Sequence, residues 1–202
     1  KGTIVKIIPY LGGLIFVMVL YLIAWPVPID PVAWQPLPAP QLEGQYAIND
    51  YLAAVEIIGK DEGIGPEDVD VDDEGRIYGA YLDGTIIRFS ANGENLGVFA
   101  NTEGRPLGLD FDTAGNLIIA DAKKGLLSAD KNGTIRVLAT EIDGTPFGFT
   151  DDVDIGPDGM IYFSDASEKF GVHDYRADLF EHRPHGKILS YDPASENLTL
   201  LL

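Results

Sequence analysis

Residues 151–164 read DDVDIGPDGMIYFS, and the same pattern occurs twice more, as EDVDVDDEGRIYGA at 67–80 and LGLDFDTAGNLIIA at 107–120. Superposed, the three stretches bring Gly75, Gly115 and Gly159 into one column, at spacings of 40 and 44 residues. Each reads as an alternating strand, a Gly-containing turn and a second aliphatic or aromatic strand. A third strand follows in TIIRFS (85–90), GLLSAD (125–130) and KILSYD (187–192), and a fourth in NLGVFA (95–100), TIRVLA (134–139) and NLTLLL (197–202). Four short strands in each unit of about 40 residues is the pattern of a propeller blade. The predicted fold class is therefore all-β, a β-propeller; a sandwich needs no such regular period.

The blades are expected at about 67–104, 107–144 and 151–202, within a propeller part running from 52 to 202. Propellers close with about four to eight blades, which protects their edge strands. Three units leave a ring open, so the sequence reads as the amino-terminal half of a longer protein. LAAVEII (52–58) fits a strand or a short helix, and in a closed ring it would supply the outer strand of the last blade.

The 202 residues carry 14 basic and 32 acidic side chains, a net charge of -18. That balance argues against nucleic acid and anionic membrane surfaces as partners and suits a cation site. The absence of cysteine removes disulfides, thiolate metal sites and cysteine nucleophiles. Residues 7–27, IIPYLGGLIFVMVLYLIAWPV, hold no charge and match the roughly 30 Å core of a bilayer. Lys1 and Lys6 precede them and the next basic residue is Lys60, which predicts a single pass with a cytoplasmic amino terminus. Residues 1–29 are thus read as cytoplasmic stub and anchor, with the propeller on the periplasmic, lumenal or extracellular side. Residues 30–51 are read as a Pro-rich spacer: the stretch from 26 to 40 holds six of the 13 prolines, too many for helix or central strand.

The repeat also sorts the carboxylates. Asp70, Asp110 and Asp154 share one repeat position, and Asp121 and Asp165 share another, where the first unit has Tyr81. Residues present in every unit belong to blade construction. Glu67 and Asp68 align with Asp151 and Asp152, whereas the second unit has Leu107 and Gly108. These two acidic pairs stand out from the repeat, at strand starts that face the central channel. Strict alternation predicts that Glu67 and Asp151 point one way and Asp68 and Asp152 the other, giving two sites. Oxygen ligands without His or Cys suit calcium; solvated acids at a loop are the plain alternative. An EF-hand reading from Asp70 puts Gly75 at its sixth position but Tyr81 at the twelfth, where a bidentate Glu belongs.

Together GPEDVDVDDEGRIYGAYLDGTIIR, GRPLGLDFDTAGNLIIADAKKGLL, FTDDVDIGPDGMIYFSDAS and HGKILSYDPASENLTLLL resemble the strictosidine synthase-like propellers, notably membrane-anchored members of the adipocyte plasma membrane-associated type. They are more distantly similar to gluconolactonases and paraoxonases. The resemblance covers roughly residues 44–202. It implies a six-bladed ring with calcium in its channel and hydrolysis of small lactones or aryl esters. It further implies Glu67 and Asp151 at a catalytic calcium and Asp68 and Asp152 at a structural one. The paraoxonase pattern has Asn where Asp151 stands, and a Pro-His-Gly where this chain has Pro106, Leu107 and Gly108, so that His-dependent mechanism is not carried over. An amine–aldehyde condensing enzyme is the alternative that the family implies, and a non-catalytic binding propeller is the rival from another class. Gly186 lies 27 positions after Gly159, where Gly84 lies 9 after Gly75, an insertion carrying His173, His182 and His185. These are candidate general bases on a lid, or plain surface histidines.

Overall fold

The computed structural model describes residues 2–202, with side chains described from Pro9 onward. Each of the three repeats forms one four-stranded antiparallel meander. The first sheet is β1 (Val69–Val71), β2 (Ile77–Ala80), β3 (Thr85–Phe89) and β4 (Asn95–Asn101). The second is β5 (Pro106–Phe111), β6 (Leu117–Asp121), β7 (Gly125–Ala129) and β8 (Ile135–Ala139). A short hairpin, β9 (Glu141–Ile142) with β10 (Thr145–Pro146), leads to the third sheet: β11 (Thr150–Ile155), β12 (Ile161–Asp165), β13 (Lys187–Asp192) and β14 (Asn197–Leu200).

The first turn of each unit has the same construction. Gly75, Gly115 and Gly159 adopt φ of 77°, 79° and 82°, a left-handed backbone that a side chain resists. Their amides close back on the carbonyls of Asp72, Asp112 and Gly156. Asp72 and Asp112 reinforce the loop by accepting the amides of Arg76 and Asn116. That role, together with the 2% exposure of Tyr81, leaves no EF-hand here.

Packing explains why the second sheet is the most apolar. β6 is buried along its whole length. Leu117 and Ile119 join Tyr78, Ile86 and Leu109 in a core between the first two sheets. Ile118 and Ala120, on its other face, join Val153, Ile161, Phe163 and Leu189 between the second and third. Each such Leu or Ile contributes about 1.5–3 kcal/mol by leaving water. Carboxylates add a polar tie between sheets: Asp70 accepts the Phe111 amide at 2.9 Å, and Asp110 accepts the Ile155 amide at 2.7 Å. Asp154, on the same repeat position, makes no such bond among the described residues.

The amino-terminal region departs from expectation in three ways. Helix α1 (Gly2–Ala24) stops before Val27, because Pro26 lacks an amide and disfavours helix at the residue before it. Among the described residues no helix is long and apolar enough to cross a membrane. Lys1 lies outside the described residues, and the side chains of Lys6, Ile7 and Ile8 outside those described. Second, residues 52–58 form neither strand nor helix: the Ala53 amide closes a turn on the Asp50 carbonyl, and among the described residues no strand pairs with the stretch, which an isolated strand needs for stability. Third, the Pro-rich stretch is extended but not free. Arg183 bonds both the carbonyl and the carboxylate of Asp30, Val32 donates its amide to the Glu181 carbonyl, and Trp34 stacks on His182 at 4.9 Å.

Candidate functional site

Glu67, Asp68, Asp151 and Asp152 together line one concavity of about 220 Å³. Alternation predicts opposite orientations within each acidic pair; bulges at the strand starts account for all four side chains lining one concavity. In the third sheet Thr150 faces Asp165 and Val153 faces Phe163, so Asp151 and Asp152 both stand against Ser164. In the first sheet Glu67 donates its amide to Ala80 and Asp68 accepts the amide of that same residue. Two residues opposite one kink the strand and re-aim its side chains. The second sheet has the same slip, with Leu107 and Gly108 opposite Ala120. A Cβ on Gly108 would lie 2.8 Å from Asp152 Cα and from the Val153 nitrogen, so only glycine admits the third sheet's backbone there.

The four carboxylates are not equivalent. Asp68 is bound at both oxygens, taking its neighbour Val69 amide at 2.7 Å and the Leu109 amide of the second sheet at 2.9 Å. Asp152 accepts the Val153 amide at 2.9 Å, and its own amide reaches Ser164 Oγ at 3.1 Å. Val153 is the repeat counterpart of Leu109; with Gly108 where Asp68 would be, its amide turns to its own neighbour. Glu67 keeps contact with solvent, yet partial desolvation and then the charges of Asp151, Asp68 and Asp152 raise its pKa, with Arg105 partly offsetting them. Burial, then the charge of Asp152, raises that of Asp151.

A larger groove of about 670 Å³ lies at the turn end, between Tyr78, Arg88, Phe99, Asp110, Phe111 and Lys131. Most of its acids are already committed, Asp70 and Asp110 to the amides between sheets and Asp72 to Arg76 and Tyr78, while Asp73 is exposed. The smaller concavity is thus the better functional candidate. Its donor chemistry, oxygen without nitrogen or sulfur, fits a hard cation, and the raised acids mark a place that gains from added positive charge. The spacing is looser than in a formed centre: among the described residues no three His, Asp or Glu side chains converge closely enough to hold a metal.

The insertion contains helix α2 (Tyr175–Glu181) and folds about Glu181, whose side chain is 1% exposed. Lys169 Nζ reaches both Glu181 oxygens at 2.6 Å and His185 Nε2 lies 3.1 Å away. Bonding by Lys169, above all, lowers the Glu181 pKa to about 2. His173, His182 and His185 do not line the acidic concavity. His182 caps α2 in a left-handed conformation beneath Trp34, and His185 supports Glu181. The bulges and their ties to Ser164 and Asp165 were not read from the sequence; the only trace of them was the shared position of Asp121 and Asp165.

Comparison with known proteins gives this arrangement a family context. Residues 44–89 match the family "Strictosidine synthase-like, N-terminal", and residues 151–202 match "Strictosidine synthase". A strictosidine synthase-like 4 protein of Arabidopsis thaliana is 37% identical over 87% of the chain and 48% of its own length. An adipocyte plasma membrane-associated protein of Danio rerio is 28% identical over 87% of the chain and 46% of its own length. The chain thus spans about half the length of these curated relatives. A gluconolactonase structure from Xanthomonas campestris superposes with a TM-score of 0.51 at 16% identity, covering 63% of the chain and 43% of that protein. The chain is strictosidine synthase-like in sequence, and its three sheets share the fold of gluconolactonase β-propellers.

Proposed function

We propose that the acidic concavity binds calcium and belongs to a hydrolase of small lactones or aryl esters. The observation that carries this reading is that Glu67, Asp68, Asp151 and Asp152, the acids that depart from the repeat, line one concavity. Support for the substrate class comes from the gluconolactonase likeness. Bound calcium would polarise a carbonyl and stabilise the charge that develops on its oxygen. Glu67 and Asp151, whose side-chain oxygens accept no hydrogen bond among the described residues, would hold the ion. Asp68 and Asp152, fastened to backbone amides, keep the two strand starts in place and could share the ion through their remaining lone pairs. A calcium shell of about six to eight oxygens needs further donors, such as water.

We further propose that α1 attaches the chain to a membrane. Leu14, Phe16, Val17, Met18, Leu22 and Ile23 are all exposed, an apolar surface that water does not favour. Hydrolysis of a γ-lactone and of phenyl acetate, with calcium and with chelator, tests the enzymatic reading. Calcium-dependent turnover supports it. Turnover indifferent to chelation removes the catalytic ion. Calcium uptake without turnover favours the non-catalytic binding propeller, and amine–aldehyde condensation instead of hydrolysis favours the alternative chemistry.

A further inference from the structure

We propose that Asp165, at the end of β12, is a positioning residue for the Asp151–Asp152 pair. The inference rests on the cation reading of the acidic concavity. Asp165 is fully buried, and its two oxygens accept separate amides, Phe149 at 2.7 Å and Gly148 at 3.3 Å. The next residue, Ala166, returns its own amide to the Phe149 carbonyl at 2.7 Å. Residues 148–150 are thereby fixed to 165–166 immediately before the ladder slips. On the other side of the slip, the Asp152 amide is fixed to Ser164. Both flanks of the bulge are tied to one short stretch of β12, so the aim of the acidic pair is set there.

Position 148 admits only glycine, because a Cβ would collide with the Ser167 carbonyl. The carboxylate is specifically required. An amide in its place offers one oxygen, and its NH₂ group would confront one of the two backbone donors.

The second sheet supplies a matched comparison. Asp121 is equally buried and accepts the Arg105 amide at 2.9 Å, with those of Lys123 and Lys124. Its bulge carries Leu107 and Gly108 and presents no acid. Asp121 uses one oxygen only, Oδ1 taking all three amides while Oδ2 has no partner among the described residues, so Asp121→Asn keeps that acceptor and is the burial-matched control in which the bulge stays tied.

Calcium titration of the full chain by calorimetry, with thermal midpoints, separates the cases. Asp165→Asn should weaken calcium binding about tenfold or more, as loss of groups that orient metal ligands does, while Asp121→Asn stays within about twofold of the unmodified chain. Equal losses in the two variants, or none in Asp165→Asn, would overturn the assignment. Ser164→Ala releases the other flank with less strain and should also weaken binding; if Asp165→Asn does not fold, an unchanged affinity in Ser164→Ala decides against the proposal. Should the unmodified chain take up no calcium, the cation reading fails while the clamp is still judged by amide exchange. Faster exchange at Asp152 and Val153 in Asp165→Asn, and not in Asp121→Asn, supports it; equal rates overturn it.

Discussion

The Asp68 carboxylate and the Leu109 amide meet at 2.9 Å across the gap between the first two sheets, so an acid that lines the concavity also joins two blades. Replacing it therefore affects two properties at once. Asp68→Ala should cost about 1–3 kcal/mol, the loss for a part-buried amide left without its charged acceptor. Asp110→Ala should cost a similar amount, and Asp154→Ala less than about 0.5 kcal/mol, because Asp154 ties nothing. Urea denaturation of the three variants checks the order.

Asp151→Asn should stabilise the metal-free protein at neutral pH. The raised pKa values of Glu67 and Asp151 mean that the folded state holds protons more tightly than the unfolded state. Stability therefore falls as pH rises through and above the ordinary carboxylate range. Removing one charge relieves this, raising the midpoint by a few degrees, on the order of 2–4 °C per kcal/mol for this length. The same substitution should abolish any rise produced by calcium. Thermal scans of both proteins with calcium and with chelator read both effects.

Glu181 has the opposite sign. Its pKa is lowered to about 2, so its contribution is present above the unfolded carboxylate value of 4.5 and is lost as pH falls from there through about 2. Between those limits the insertion should loosen while the sheets persist. Amide exchange or limited proteolysis at 167–185 across that range, with Glu181→Gln as comparison, follows the loss; in the variant this pH dependence should disappear.

Arg183→Ala should free the Pro-rich stretch, since it removes both bonds to Asp30. Exposed ion pairs contribute only about 0–1 kcal/mol, so global stability should barely change. Protease sensitivity at 26–40 should rise, and the fluorescence of Trp34 should shift as its stack on His182 loosens.

The sheets were legible because turn glycines and alternating apolar residues recur at a fixed period, and both signals are local. The singular acids were legible because the repeat could be subtracted from itself. The single concavity was not, since alternation assumes an unbroken ladder and the slips at Asp151–Asp152 and Leu107–Gly108 are hydrogen-bond facts whose only trace in the sequence is the position shared by Asp121 and Asp165. Nor was the docking of Asp30 and Trp34. Dense proline reports backbone stiffness and is silent about the Arg183 and His182 partners more than 140 residues away.

Gly108 sets a limit on how such a site can be multiplied. Its missing side chain leaves the room that the Asp152 backbone occupies, so the second sheet yields space to the third. An acidic pair placed at 107–108 would displace the one at 151–152 rather than add to it. The second and third sheets are therefore mutually exclusive hosts, and the two acidic pairs stand on either side of a sheet that keeps glycine at this position.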